Sequence, residues 1–268
     1  SSIPLEELST ALEKPERLVG LHFFNPVAMM QLVEVVRGET TSANVAAHAM
    51  TFTRQIDRLP LPVTSTPGFL VNRILMPYLM EAVLLEAEGI PPAVIDKAAT
   101  DFGMPMGPVQ LADTVGLDIC LHVAEILAGH FNATIPERLR KLVDAGNLGR
   151  KSGRGFYEYR KGKPVNQKAS TGNWNMDEIS NRLVYRLLNE SVSCVREQVV
   201  ESSDLLDAGM IFGTGFAPFR GGPMHYIDAM GADAISRQLQ ALEKLRGERF
   251  TPDSGWETLM QHSGGSTA

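Results

Sequence analysis

A carboxylate stands in the middle of an apolar strand. Residues 32–36 read Leu-Val-Glu-Val-Val, so Glu34 lies in a run that any sheet would bury. Breaking a buried charge pair costs several kcal/mol, so Glu34 requires a partner. Val-Gly-Leu-His-Phe-Phe at 19–24 is a second β-branched and aromatic run, and it carries His22. Side chains alternate along a strand, so His22 shares a face with Gly20 and Phe24, and Glu34 shares one with Leu32 and Val36. Strands lying close together would bring both polar groups into one apolar cleft. A His oriented by a buried acid is a general-base arrangement. The same two residues would serve equally as a structural bridge. The leading reading is an enzyme.

Composition bounds the alternatives. The 268 residues carry a formal net charge of −6 and are 44% hydrophobic, which is ordinary for a globular protein. An acidic balance argues against nucleic acid as the main partner. Cys120 and Cys194 stand far apart, form no disulfide framework, and fit a reducing, cytoplasmic compartment. The longest apolar run, Ile74–Leu85, is interrupted by Pro77 and Glu81 and is too short to span a bilayer. The chain opens Ser-Ser-Ile-Pro and reaches a site-bearing strand almost at once, which reads as a fragment of a longer protein.

Periodicity changes along the chain. Leu5–Leu12 reads as a short helix, Arg17–Phe24 and Gln31–Val36 as strands, Thr41–Arg58 as a helix, and Leu61–Thr64 as a strand. Beyond Pro67 the expected elements are helices: Val71–Glu88, Pro92–Phe102, Pro108–Leu127, Pro136–Ala145, Glu178–Gln198, Leu205–Phe212, Tyr226 through Leu245, and Trp256–His262. The expected fold is mainly α, a small α/β remnant of a Rossmann domain followed by two repeated all-helical domains. The first copy reads Asn72-Arg73, Glu81, Asp96, Phe102-Gly103, Gly107-Pro108 and Asp113-x-x-Gly116. The second reads Asn181-Arg182, Glu190, Asp207, Phe212-Gly213, Gly222-Pro223 and Asp228-x-x-Gly231. Lys161–Asn175 between them has the composition of an exposed linker. The division along the chain is 1–64, 65–165, a linker at 166–177, and 178–268.

Other motifs are read against their plain alternatives. Asn25-Pro26 favours a turn, with a substrate contact as the alternative. Asn72 follows the Pro67-Gly68 helix start and is a mediocre helix former. It serves as a cap, or its amide binds a substrate oxygen. Gly213-x-Gly215 fails as a dinucleotide fingerprint, because it follows a helix and Pro218 holds the third position. The basic stretch from Gly149 to Tyr157 reads as a surface turn before packed aromatics, with phosphate binding as the alternative. The remaining histidines lack ligand spacing, so no metal is expected.

Together these residues resemble the 3-hydroxyacyl-CoA dehydrogenase family. The marks are Gly20-Leu-His-Phe-Phe-Asn-Pro26, Leu32-Val-Glu-Val35, Pro67-Gly-Phe-Leu-Val-Asn-Arg73, Asp101-Phe-Gly-Met-Pro-Met-Gly-Pro108 and Gly153-Arg-Gly-Phe-Tyr157. Two helical copies, the second with Gly215-Phe-Ala-Pro-Phe-Arg-Gly-Gly-Pro223, resemble the bifunctional type. In that type an enoyl-CoA hydratase domain precedes the dehydrogenase, as in the α-subunit of the bacterial fatty-acid oxidation complex. The resemblance implies oxidation of an L-3-hydroxyacyl-CoA to the 3-ketoacyl-CoA with NAD, in fatty-acid β-oxidation. It implies His22 as base, Glu34 as the orienting acid, and Asn72 and Ser1 at the reacting oxygen and thioester. NAD is expected mainly on a domain preceding Ser1, so the isolated chain is expected to be inactive. Implied partners are the acyl-CoA, a second copy, or a thiolase β-subunit. Two alternatives stand beside this: a non-catalytic assembly module, and the substrate domain of another β-hydroxyacid dehydrogenase.

Overall fold

A computed structural model describes residues 3–131, 135–165, 169–170 and 172–263. Ser1, one of the expected site residues, lies outside them. The chain runs α1 (Leu5–Ser9), β1 (Gly20–Phe23), β2 (Leu32–Arg37), α2 (Ala43–Gln55), β3 (Leu59–Thr64), α3 (Val71–Ala87), α4 (Pro92–Phe102), α5 (Pro108–Val115), α6 (Leu117–Phe131) and α7 (Glu137–Asp144). It continues with the hairpin β4 (Tyr159–Arg160) and β5 (Lys163–Pro164), then α8 (Met176–Arg196), α9 (Ser203–Thr214), α10 (Pro223–Met230), α11 (Ala232–Arg246) and α12 (Gly255–Ser263). The protein is mainly helical, with a small sheet in a Rossmann-like N-terminal part, as the periodicity implies.

Two compact units form. One gathers Ser1–Ile74, Leu188–Gln238 and Pro252–Ala268; the other gathers Leu75–Leu187 and Leu239–Thr251.

In the first unit the sheet order is β1-β2-β3, with β1 antiparallel to β2 and β2 parallel to β3. The parallel pair needs a crossover, and α2 supplies it. Ser42 caps that helix by accepting from the Val45 amide at 3.4 Å. The five residues of β2 from Leu32 to Val36 are all buried, so both faces are covered. Helix α9 lies against the sheet, and a Cβ on Gly209 would stand 2.7 Å from Leu61. Within β3, Val63 also forms an isolated antiparallel bridge to Val200. Arg73, 2% exposed, donates to Glu190 Oε1 and Glu197 Oε2, both at 2.7 Å. Arg196 holds Asp253 at 2.7 Å.

In the second unit Arg182 is the counterpart. Its guanidinium reaches Glu81 and Glu88 at 2.6 Å, and Arg249 closes on the other Glu81 oxygen at 2.7 Å. So Arg73 pairs with Glu190, while Arg182 pairs with Glu81. Each Asn-Arg motif docks on the glutamate that follows the other one.

Asp96 accepts from the Val109 and Gln110 amides at 2.7 and 3.1 Å. Asp207 treats Met224 and His225 in the same way, at 2.7 and 3.0 Å. Both carboxylates sit on the first turn of the following helix, where the amides are otherwise unpaired. The glycines before those turns are explained by closeness: a Cβ on Gly107 or Gly222 would fall within 2.3 Å of the aspartate. Asp113, fully buried, accepts from the Phe156 and Tyr157 amides and the Tyr159 hydroxyl. The basic Gly149–Tyr157 stretch is thus a turn closing on Asp113, and a Cβ on Gly155 would meet its Oδ1 at 2.0 Å.

Several sequence expectations need correction. Pro108–Leu127 is two helices, broken at Gly116 with φ 108°. Tyr226–Leu245 is likewise broken at Gly231 with φ 88°. Both are left-handed-side conformations that favour glycine and reset the helix axis. The strand expected from Arg17 starts at Gly20, because Pro15–Arg17 forms a 3₁₀ turn. The first helix stops at Ser9. Gly103 caps α4 in the left-handed region, but the corresponding cap of α9 is Gly215, not Gly213. Asp228 is exposed, unlike Asp113.

Burial pushes the Asp96 carboxyl up to about 6, against the pull of hydrogen bonds from Tyr157, Val109 and Gln110. A folded value above the unfolded one (about 3.9) means that folding takes up a proton between these values. The stability from Asp96 is full below the unfolded value and is lost as pH rises through about 6. Relative to Asp96→Asn, the wild-type urea midpoint should therefore rise as pH falls from 7 to about 4.5. A falling difference would contradict the burial argument.

Candidate functional site

The register of the sheet sets the site. His22 and Glu34 are direct partners across β1 and β2. Opposed side chains on neighbouring antiparallel strands come within contact distance. His22 Nδ1 lies 2.6 Å from Glu34 Oε2. A carboxylate only accepts, so Nδ1 donates and the ring's free lone pair sits on Nε2. Nε2 has no hydrogen bond among the described residues. The imidazole is 17% exposed and the carboxylate 0%.

Glu34 has further partners that the sequence did not reveal. Its other oxygen, Oε1, accepts from the Leu70 and Val71 amides at 3.0 and 2.9 Å. These are orphan donors at the start of α3, and the helix dipole favours a negative charge there. Gly68 and Phe69 precede them with φ of 77° and 51°. The turn they make leads into the two successive amides, Leu70 and Val71, that meet on one carboxylate oxygen. The Pro67-Gly68 helix start was the available signal, but sequence spacing does not say which acid it faces.

Two phenylalanines enclose the imidazole edge-to-face. The Phe24 ring centroid lies 4.8 Å away at 67°, and that of Phe69 5.3 Å away at 61°. Phe24 follows from strand alternation; Phe69 does not.

Asn72 is half-buried in the first turn of α3, beside the Val71 amide that binds Glu34. Asn25 is exposed, in the turn that follows β1. A 240 Å³ hollow lined by Leu5, Glu6, Ser9 and Leu18 and by the turn at 38–41 includes none of the expected site residues.

The β2–α2 turn does not make a dinucleotide site. Such a site needs Gly-x-Gly-x-x-Gly between strand and helix. The β2–α2 turn has Gly38 alone, and a Cβ there would meet the Glu6 carboxylate at 3.2 Å. Among the described residues no cluster of His, Cys, Asp or Glu has the makings of a metal site. Burial pushes both free thiols up, Cys120 to about 12, which leaves them unreactive. No described helix is long and apolar enough to cross a membrane.

Residues 1–66 match the 3-hydroxyacyl-CoA dehydrogenase NAD binding domain. Residues 68–159 and 179–265 match the 3-hydroxyacyl-CoA dehydrogenase C-terminal domain. The chain is 36% identical to the fatty acid oxidation complex subunit alpha of Idiomarina loihiensis, over 96% of this chain and 39% of the relative. For that of Shewanella amazonensis the figures are 39%, 94% and 38%. The chain therefore spans less than two fifths of these relatives. Among solved structures it resembles 3-hydroxybutyryl-CoA dehydrogenase from Escherichia coli K12, with TM-score 0.86 and 26% identity, over 99% of this chain and 75% of that one. It also resembles the dehydrogenase part of multifunctional enzyme 1 from C. elegans, with TM-score 0.67 and 29% identity, over 97% and 63%. Matched to both family domains over most of its length, the chain belongs to the 3-hydroxyacyl-CoA dehydrogenase family.

Proposed function

We propose that the chain is the catalytic and helical portion of an enzyme that oxidises an L-3-hydroxyacyl-CoA to the 3-ketoacyl-CoA in fatty-acid breakdown. The observation that carries this is the His22–Glu34 contact of 2.6 Å, with Nε2 left bare. His22 Nε2 takes the proton of the 3-hydroxyl as the C3 hydride leaves. The imidazolium is stabilised by Glu34, which the Leu70 and Val71 amides hold in place. Asn72 donates its amide to the reacting oxygen, with Asn25 as a further substrate contact. The overall reaction passes the hydride to NAD. The described residues lack a pyrophosphate cradle, so NAD is held mainly by residues outside them, and the chain alone turns over poorly.

The two helical segments, 65–165 and 178–268, are read as copies joined by the linker at 166–177. The crossed pairing of Arg73 with Glu190 and Arg182 with Glu81 supports this. In such an arrangement the second copy takes the place of a partner's helical domain. The curated relatives are named as subunits of a complex, which supports a partner subunit.

His22→Gln tests the reading. In a form of the protein that binds NAD, NADH consumption with acetoacetyl-CoA should fall at least about a hundredfold, as expected for loss of a general base. Unchanged turnover in the folded variant would leave His22 and Glu34 as a structural bridge, and no turnover in the well-folded, NAD-binding wild type would favour a non-catalytic assembly role.

A further inference from the structure

We propose that Phe69 is a positioning residue, whose ring fixes the orientation of the His22 imidazole. The inference rests on the dehydrogenase reading for its meaning but not for its test. Phe69 holds φ at 51°, a region that bulky residues avoid and glycine tolerates. Glycine already stands next to it, at Gly68 with φ 77°. A second glycine would make the same turn without strain, so the phenyl ring itself has to explain why Phe stands here.

The ring's surroundings give that explanation. Phe69 is 7% exposed, and its ring lies edge-to-face with His22 at 5.3 Å. Phe24, two residues after His22 and just past the end of β1, makes a second contact at 4.8 Å. The imidazole is thus held at three places: Nδ1 by Glu34, and its ring by Phe24 and Phe69. One hydrogen bond fixes the position of a ring atom but leaves the ring free to swing about that bond. Two aromatic contacts remove the swing, so Nε2 keeps one direction.

The backbone makes the arrangement economical. The Phe69 amide donates to the Thr66 carbonyl at 2.9 Å, which closes the turn. The next two amides, Leu70 and Val71, point at Glu34. The left-handed turn at Gly68 and Phe69 therefore delivers the ring to the base and the following amides to the acid. The strained residue couples the two halves of the pair.

NMR relaxation of the histidine ring C–H bonds tests this in the chain itself, with His22 assigned by its absence in His22→Gln. At a pH where the imidazole is neutral, the wild type should show a rigid ring, with an order parameter of about 0.85. Phe69→Leu keeps an apolar side chain but no ring. Phe69→Gly removes the ring and relieves the backbone. Both should keep the Nδ1-protonated tautomer, which Glu34 sets, while the His22 order parameter falls below about 0.6 as the ring swings about that bond. A purely structural Phe69 would change stability without loosening the imidazole. A His22 ring as rigid as the wild type's in either folded variant overturns the proposal. Should Phe69→Leu fail to fold, Phe69→Gly decides alone. The readout needs no turnover, so a failed dehydrogenase reading would show in the His22→Gln assay and not here.

Discussion

Replacing Glu34 with Gln is expected to cost about four orders of magnitude in kcat while the chain stays folded. The corresponding acid-to-amide change in a serine-protease triad costs about 10⁴ by selecting the wrong imidazole tautomer. The same logic applies here. Glu34 Oε1 takes two backbone amides, so a glutamine would place its carbonyl oxygen there to keep them paired. Its NH₂ group would then face His22 Nδ1, where Oε2 now stands at 2.6 Å. Nδ1 would have to accept, which moves the proton to Nε2 and removes the base. The variant should unfold near the wild-type midpoint, because every donor except one still has a partner. The assay is single-turnover hydride transfer in a form that binds NAD. A loss under about tenfold would mean that Glu34 does not set the tautomer, a much smaller effect than a positioned base supplies.

The largest loss of stability is expected at Arg182. Its side chain is 1% exposed and Glu81 beside it is 0% exposed. Removing one partner of a buried pair typically costs about 3–5 kcal/mol, because the other charge is left buried without compensation. Among the described residues, Arg182→Met leaves Glu81 its ion pair with Arg249 and Glu88 a longer one with Arg246 at 3.7 Å. Methionine preserves the apolar stem, so the loss reports the charge rather than packing. Lys97→Met is the control. Lys97 and Asp101 form an exposed helix pair, 46% and 55% accessible, worth well under about 1 kcal/mol. Urea unfolding of the two variants should separate them widely. Equal midpoints would mean that water reaches the Arg182 cluster.

The strand pair and most helices were legible because they rest on local pattern. Period-2 alternation around His22 and Glu34 fixed their faces, and prolines at helix starts with glycines at helix ends fixed α3 and α4 closely. Two helices were read too long, because Gly116 and Gly231 act through a positive φ and not through a change in periodicity. Asp96 and Asp207 were seen as repeated marks. Their use as clamps on the next helix could not be seen, because a backbone amide leaves no trace in the sequence. Phe69 looked like part of a motif and not like a partner of His22, since side chains at 22 and 69 are related only by folding.

The sequence by itself determined that a buried acid and an imidazole had to meet. An unpaired charge in an apolar strand is too costly for any fold to keep. It also determined the helical character of the chain beyond Pro67 and the recurring Asn-Arg and Glu spacing. Only the tertiary structure decided what those residues hold. It placed the first turn of α3 on the second oxygen of Glu34 and closed Phe69 over His22. It also sent each arginine to the other motif's glutamate rather than to its own. The reason is reach: Arg73 and Glu190, or Arg182 and Glu81, lie about a hundred residues apart in the chain. No periodicity extends that far, and only packing of one helix on another brings such groups to 3 Å or less, the distance of a charged hydrogen bond.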